Sequence, residues 1–583
     1  MTTRRTALRT SVHTTRWGRC AAAVALGAAT AATLVVATPG APAAAAPNAP
    51  SGTVTAAVKA ARDWLASGGA LWGDHAADKA AVSTGQYAAA TDPGSLYTVE
   101  RAIGARRVWA SNDSAGHAVT GKGIAVALLD SGVARVSGLD GQGKVTYGPD
   151  LSVETNGVLD GADTYGHGTH LAGIIAGRDT AAKSAKLATQ DPNTQLGVAP
   201  DAQVEALKLA TTDGSTDVSQ VIAGLDWIVQ HPVTADGTRI RVVNLAYGTD
   251  SVQPYQVDPL AAAVENAWRH GLVVVVSGGN EGRSAGRLTD PATDPYVLAV
   301  GASDGGDTVA GWATPSVADF SSSGSAQRHV DLLAPGRSVV SLRDPGSFVD
   351  TNHPEGRVDG DSAGRLFRGS GTSQAAAVVS GAVALLLQAY PNLTPDQVKY
   401  VLTRSATDVA AAPADAGAGQ LNIASALDLA RSMTSLLGRL TTASVTQSWP
   451  AATGTGSLDA ARGGSRLVDA EGTELAGEID VQGQPWDGAT WWAAASAANA
   501  WDGGSWNGAI WTGTGWRTGS SWDAARWSSA RWSSARWSDA DWDSARWSSA
   551  RWSSARWSSA RWSSARWSDA DWDSARWSAA AWA

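Results

Sequence analysis

The sequence contains very little cysteine, methionine and phenylalanine. Of its 583 residues one is Cys, two are Met and three are Phe, whereas 28 are Trp. The single cysteine, Cys20, excludes an intramolecular disulfide and a zinc site built from several cysteines. Basic residues are also in the minority, with 45 Lys and Arg against 54 Asp and Glu and a net charge of −9. An acidic chain lacks the basic surface that neutralises phosphates, so we expect no nucleic-acid partner.

The first 46 residues have the pattern of a secretory signal peptide. Five arginines and no acidic residue precede an apolar run over residues 21–37, and small-residue cleavage patterns follow up to Ala46. The run is short for a bilayer span, which favours cleavage over anchoring. The pair Arg4-Arg5 also resembles a twin-arginine signal, so both the Sec and the Tat export routes stay open. We expect a secreted, extracellular protein, with retention at the cell wall as an option.

Composition divides the remaining chain into four segments. Residues 47–95 predict a short pro-region or spacer with one helix around Thr53–Leu65, residues 96–432 a folded body, residues 433–519 a Gly/Trp-rich linker, and residues 520–583 a repeat tail. Within the linker, Thr453–Ser457 and Gly463-Gly464 predict loops.

In the body, short apolar runs bounded by Gly or Asp predict buried parallel strands, and stretches with helical spacing alternate with them. The predicted strands are residues 123–129, 204–209, 240–245, 272–277, 297–300 and 330–333, and the predicted helices are 168–176, 218–230, 259–270 and 372–389. This alternation predicts an α/β fold, a doubly wound and mostly parallel sheet with helices on both faces.

Three polar residues stand where these elements begin or end. Asp130 follows a strand in Leu-Asp-Ser-Gly, His167 opens a helix in Gly-His-Gly-Thr-His, and Ser373 lies in Gly-Thr-Ser-Gln-Ala at the start of a helix that is apolar on nearly every face. Taken singly, a turn residue, a metal pair of His167 with His170 and a helix cap would explain them. The i, i+3 spacing of the two histidines departs from the usual i, i+4 of a helical metal pair.

Together, in the order Asp, His, Ser on an α/β sheet, these motifs resemble the subtilisin family of serine proteases, whose residue order is itself a standard example of the catalytic triad. The resemblance covers about residues 96–430. It implies that Asp130 orients His167, which acts as general base and acid for the nucleophile Ser373. It also implies that Asn280, in Ser-Gly-Gly-Asn at the end of a strand, donates its side-chain amide to the oxyanion.

By the same resemblance, Ala246-Tyr247-Gly248 and Ser277-Gly278-Gly279 form two walls of the pocket for the residue before the cut. The walls carry no charge and little bulk, which predicts an open pocket for large apolar or aromatic side chains; alternatively, Tyr247 narrows a neighbouring subsite. We expect no cofactor. Structural calcium is common in the family, but no ligand set can be named from the sequence. The short pro-region departs from the family's usual folded inhibitory pro-domain.

From Trp522 to Trp582 tryptophan recurs every five residues. On an α-helix this period turns successive Trp by about 140°, and on a strand it sends them to opposite faces. Neither element puts them on one side, which leaves a solenoid with five-residue sides or a disordered chain. The functional interpretation is contact with cell wall or carbohydrate through the indoles, and the alternative is a low-complexity spacer.

The sequence therefore predicts a secreted, monomeric serine endopeptidase that acts on proteins or peptides. The alternative from another class is a cell-envelope binding protein in which the tail carries the function and the α/β body is an inactive scaffold. Among enzymes, a transpeptidase that uses the same acyl-enzyme is the rival.

Overall fold

A parallel sheet organises the chain. The computed structural model describes residues 87–154, 161–304, 315–434, 445–468, 473–511 and 526–527. The sheet strands are β1 (Ile124–Asp130), β2 (Val145–Asp150), β3 (Gln203–Lys208), β4 (Arg239–Leu245), β5 (Val273–Ser277), β6 (Leu298–Asp304), β7 (Ser316–Val317) and β8 (Leu332–Pro335). Their order is β2-β3-β1-β4-β5-β6-β7, with β8 paired to β6. Only the β6–β7 pair within this described sheet is antiparallel. Apart from it, β9 (Val339–Leu342) pairs antiparallel with β10 (Leu366–Gly369).

Helices cover both faces of the sheet. They are α1 (Leu96–Ala102), α2 (Ala105–Trp109), α3 (His167–Ala176), α4 (Val218–Gln230), α5 (Pro259–Arg269), α6 (Phe348–Asn352), α7 (Thr372–Ala389), α8 (Pro395–Arg404), α9 (Pro413–Ala416), α10 (Ile423–Thr434), α11 (Leu458–Ala461) and α12 (Gly488–Ala495). Helices α3 and α7 pack together on one face, and α4 and α5 pack together on the other. The predicted doubly wound α/β fold is confirmed.

The predicted elements of the body appear within a few residues of their expected bounds. Helix α4 begins at Val218 and ends at Gln230, as the sequence predicts. Its start is fixed by Asp217, which forms a reciprocal capping box. Strand β6 is longer than expected and continues to Asp304. Strand β2 was not predicted, because Gly148 and Pro149 within it weaken a strand pattern. It tolerates them since it lies at the edge of the sheet.

Helix α7 is the central packing element of its face. It contacts strands β1, β4, β5, β6 and β8, and its residues from Thr372 to Leu387 are all buried. By length and composition it could cross a membrane, with a mean hydropathy of 1.4, but 94% of it is buried within the protein. Its apolar sequence is therefore that of a core helix, as the sequence predicts.

The region expected to be a linker packs tightly against the body. We call residues 445–468 and 473–511 the docked segment; it contains α11, α12, strand β11 (Leu467–Val468) and three short strands, β12 (Trp501–Asp502), β13 (Ser505–Trp506) and β14 (Ala509–Ile510). The predicted loops at Thr453–Ser457 and Gly463-Gly464 do lie outside helices and strands. However, buried side chains such as Leu458, Trp491 and Trp506 belong to the main core. The segment is thus part of the folded unit because its aromatic side chains find an apolar surface on α4 and α5.

Two tryptophans of the docked segment, Trp501 and Trp506, share one face of a small meander. Trp501 stands directly opposite Trp506 across an antiparallel pair. Two tight turns reverse the chain, at Gly503-Gly504 and at Asn507-Gly508, and all four turn residues have positive φ, as the favoured two-residue hairpin turns require. Residues five apart that flank such a turn are cross-strand partners. A period of five therefore places Trp residues on one face of a hairpin when the chain reverses between them. A single helix or a single strand does not do so.

Several predictions fall on other parts of the chain. The signal peptide, the helix around Thr53–Leu65 and the repeat tail lie outside the described residues, except for strand β15 (Arg526–Trp527). This strand pairs antiparallel with β11.

Candidate active site

The carboxylate and the imidazole singled out in the sequence face each other at the carboxyl edge of the sheet. Strand β1 ends at Asp130 and α3 begins at His167. His167 Nδ1 lies 2.9 Å from both Oδ1 and Oδ2 of Asp130, and both residues are fully buried. Because an ionised carboxylate can only accept, Nδ1 carries the proton and Nε2 is the basic nitrogen of the ring. The pair has the tautomer and orientation that a general base needs.

A second buried carboxylate, Asp163, holds this pair in place. Its Oδ1 accepts hydrogen bonds of 2.7 Å from the Ser131 hydroxyl and from the Gly166 N–H, and its Oδ2 accepts one of 2.7 Å from the Thr169 N–H. The N–H of Ser131 donates to Asp130 Oδ1 at 2.8 Å. Burial raises the pKa of Asp163, although these hydrogen bonds oppose the shift. Asp163 thus ties the end of β1 to the first turn of α3.

His170, the other histidine of the motif, has different surroundings. Its Nε2 lies 3.2 Å from the carbonyl oxygen of Phe367, and its own carbonyl accepts a hydrogen bond of 2.8 Å from the Ser341 hydroxyl. Burial lowers the pKa of His170 to about 3, so the ring is neutral near pH 7. Across the part of the chain that the structure describes, no group of three or more His, Cys, Asp or Glu is arranged to hold a metal ion.

The amide of Asn280 is fixed against the start of α7. Its Oδ1 accepts from the N–H of Thr372 at 2.9 Å and from the Thr372 hydroxyl at 3.1 Å. An N–H can only donate, so the atom facing it must be the amide oxygen, and Nδ2 is the group able to donate to a substrate. Thr372 and Ser373 are the first two residues of α7 and are fully buried. Asn280, a side-chain donor, is therefore bonded to the residue that precedes Ser373, and Ser373 itself lies at the positive end of the helix.

Glycines allow the backbones around the site to approach closely. A Cβ on Gly168 would lie 2.0 Å from the carbonyl oxygen of Gly132 and 3.2 Å from Asp130 Oδ1. A Cβ on Gly336, which follows β8, would lie 2.7 Å from the carbonyl oxygen of Gly371. The second glycine of Gly-His-Gly is therefore needed so that α3 can bring His167 onto Asp130.

The two predicted pocket walls leave the sheet at neighbouring points. Strands β4 and β5 are parallel neighbours with Leu245 in register with Val276, so Ala246-Tyr247-Gly248 and Ser277-Gly278-Gly279 follow side by side. Thr289 bridges them: its N–H donates to the Gly278 carbonyl at 3.2 Å, and a Cβ on Gly248 would lie 2.6 Å from its Oγ1. The small residues of the walls thus serve close packing. The preference for large apolar side chains stays a prediction.

The sequence analysis missed two residues that build the site. Asp163 stands three residues before the N-cap of α3, and a carboxylate just ahead of a helix is a recognisable signal because it can accept from the exposed N–H groups of the first turn. Thr372 was seen only as part of the serine motif. No sequence signal reveals that it orients Asn280, because the two residues are 92 positions apart.

Comparison with known proteins agrees with this geometry. The sequence profile of the subtilase family matches residues 121–421, just over half of the 583-residue chain. The chain belongs to the subtilase family. Serine protease AprX of Bacillus subtilis (strain 168) is 34% identical to this subtilase over 298 residues, which cover 50% of the chain and 63% of AprX. Subtilisin DY of Bacillus licheniformis is 30% identical over 292 residues, which cover 50% of the chain and 85% of that protein.

The alignments leave parts of this chain and parts of its relatives uncovered. The chain spans 63% of AprX and 61% of subtilisin E of Bacillus subtilis (strain 168), to which it is 32% identical over 291 residues. Among solved structures, a cold adapted subtilisin-like serine proteinase is 27% identical; the alignment covers 52% of this chain and 89% of that one, with a TM-score of 0.39. The family profile ends at residue 421, so the docked segment lies beyond it.

Proposed function

We propose that this subtilase is a serine endopeptidase that hydrolyses peptide bonds through an acyl-enzyme on Ser373. The observation that carries the proposal is the fixed orientation of two groups: His167, held by Asp130 with Nε2 as its basic nitrogen, and Asn280, held by Thr372 with Nδ2 as its donor. Helix α3, which begins at His167, packs against α7, and Asn280 is hydrogen-bonded to the first residue of α7.

In the proposed reaction His167 Nε2 removes the proton of the Ser373 hydroxyl as its oxygen attacks the scissile carbonyl carbon. Asp130 stays ionised and stabilises the imidazolium that forms. Nδ2 of Asn280 and the N-terminal end of α7 stabilise the negative charge on the carbonyl oxygen. His167 then gives its proton to the leaving amine. Water, activated by the same imidazole, hydrolyses the ester and restores Ser373.

Labelling with a fluorophosphonate tests this proposal, because the reagent reacts only with a serine activated by a base. We expect the full chain to be labelled on Ser373 and Ser373→Ala to show background labelling. Ser380→Ala is the matched control: it removes another buried hydroxyl from α7, one that donates to Asn244 at 2.9 Å, and labelling should persist. An unlabelled wild-type protein would favour the inactive-scaffold alternative. Analysis of the products formed with and without an added amine separates hydrolysis from transpeptidation.

We further propose that the protein acts outside the cell on proteins or peptides, as a monomer. The signal-peptide pattern of the first 46 residues supports export. Cell-wall or carbohydrate contact is proposed for the repeat tail, which lies outside the described residues apart from Arg526–Trp527. N-terminal sequencing of the protein from culture medium and from cell-wall extracts tests both points, and recovery of the uncleaved chain from cells alone would contradict them.

A further inference from the structure

The docked segment contacts the body through a buried ion pair. Arg462, just after α11, is fully buried, and its Nε donates to Asp217 Oδ2 at 2.7 Å. Asp217 is itself fully buried against this partner and caps the N-terminus of α4. Two carbonyl oxygens of the docked segment, those of Gly477 and Ile479, accept the other N–H groups of the guanidinium. The buried charge of Arg462 is therefore paired with a carboxylate and hydrogen-bonded through all three of its guanidinium nitrogens.

The same stretch of the docked segment lies against the residues that follow the first wall. The Thr249 hydroxyl donates to the carbonyl of Ala461 at 2.7 Å, and the N–H of Gly464 donates to Asp250 Oδ1 at 2.6 Å. Both body residues come directly after Ala246-Tyr247-Gly248. A Cβ on Gly463 would lie 2.9 Å from the backbone of Asp250, so the two segments are in close contact.

Tyr247 in this wall interacts electrostatically with both members of the ion pair. It is 1% exposed, and burial raises the pKa of its hydroxyl well above the usual value; the charge of Asp217 adds to the shift and that of Arg462 opposes it. Two residues further along the chain, Thr249 exchanges two backbone hydrogen bonds of 2.9 Å with Asp290. The residues that follow Ala246-Tyr247-Gly248 are thus held by Asp290 of the body and by the docked segment.

We propose that Arg462 is a positioning residue for extended peptide substrates: by pairing with Asp217 it seats the docked segment behind the first wall and keeps Ala246-Tyr247-Gly248 in the conformation that binds the peptide on the amino side of the cut. The inference rests on the proposed peptidase function. Ser373, His167 and Asn280 are held by other contacts, so the chemical step does not depend on this pair. A wall that shifts by about 1 Å lowers catalytic efficiency toward long substrates by about 10–100-fold.

The experiment compares substrates of increasing length. Peptides with two to five residues before the cut are assayed with the full-length protein and with Arg462→Met/Asp217→Asn, which removes both buried charges and keeps an N-cap side chain. We expect the wild type to gain efficiency with length, and the double variant to lose that gain by about 10–100-fold, chiefly through a higher KM. The rate of fluorophosphonate labelling, which needs no extended substrate, should stay within about threefold of the wild type.

Arg466→Ala is the matched control. Arg466 belongs to the same segment and forms a bidentate ion pair with Asp459, so its loss should leave the length dependence unchanged. If the double variant does not fold, Arg462→Lys serves in its place, because Lys keeps the charge but lacks the planar fork. The gain in efficiency with substrate length should be smaller in Arg462→Lys than in the wild type.

Three outcomes would overturn the inference. They are an unchanged length dependence in the Arg462 variants, an equal loss in Arg466→Ala, and a parallel loss of labelling rate and peptide turnover. A wild-type protein that cannot be labelled would instead overturn the proposed function itself.

Discussion

Asp226 should make the stability of the docked segment depend on pH. This carboxylate, on the third turn of α4, is 2% exposed. Its Oδ2 accepts the indole N–H of Trp491 at 2.8 Å and that of Trp506 at 2.9 Å. Burial raises its pKa from 3.8 to about 7, and the two indole hydrogen bonds oppose the shift only in part. The folded protein therefore binds a proton here that the unfolded chain releases.

The sign and size of the effect follow from this difference. A raised pKa contributes stability that is fully present below pH 3.8, where both states are protonated, and that is lost as the pH rises through about 7. Between pH 5 and pH 8 the expected loss of unfolding free energy is about 3 kcal/mol. Asp226→Asn keeps an oxygen that can accept from the indoles and removes the titration. The difference in stability between variant and wild type should thus grow by about 3 kcal/mol in favour of the variant over this range.

Urea unfolding followed by circular dichroism at pH 5, 6, 7 and 8 measures the difference, in a Ser373→Ala background that prevents self-cleavage. Other buried carboxylates, such as Asp294 with a pKa raised to about 7, cancel because both proteins contain them. Asp502→Asn, at an exposed position of the same meander, is the control and should show no such growth. Parallel stability curves for Asp226→Asn and wild type would refute the reasoning.

Three further predictions concern the site. Asn280→Ala should lower kcat by about 10²–10³-fold with little change in melting temperature, a magnitude carried over from the equivalent donor of subtilisin; turnover near that of the wild type would remove Asn280 from the mechanism. Gly168→Ala should reduce both turnover and melting temperature, because its Cβ would lie 2.0 Å from the carbonyl of Gly132; an unchanged protein would show that α3 can move without loss. His170→Gln should leave the pH profile of kcat/KM unchanged above pH 5, since the histidine ring, with a pKa of about 3, does not titrate there; a shifted profile would contradict its structural role.

Much of the body could be predicted from the sequence because local patterns and tertiary demands agree there. The run from Ile124 to Leu129 is apolar at every position, as a strand buried on both faces requires. Helix α7 is apolar on nearly every face, which indicated that the start of the helix, with Ser373, meets the sheet. The order of Asp130, His167 and Ser373 then placed three motifs at one edge.

The sequence indicates a linker where the structure describes a docked segment, residues 445–468 and 473–511, and the difference has a specific reason. Gly503-Gly504 and Asn507-Gly508 are turn signals, and in a single extended or helical element Trp501 and Trp506 do not lie on one face. Their common face exists only when the chain reverses twice and finds the apolar surface of α4, with Asp226 to accept the indole N–H groups. Nothing within five or ten residues of Trp506 encodes that surface.

What the sequence by itself determined is the set of elements and the identity of the reactive groups, because apolar periodicity and short motifs are local properties of the chain. Only the tertiary structure decided how those groups are held: Thr372 turning the amide of Asn280, Asp163 joining β1 to α3, and Arg462 reaching Asp217 across 245 positions. Hydrogen bonds and ion pairs between distant segments depend on geometry that exists only after the sheet and its helices have packed. No local sequence pattern therefore predicts them.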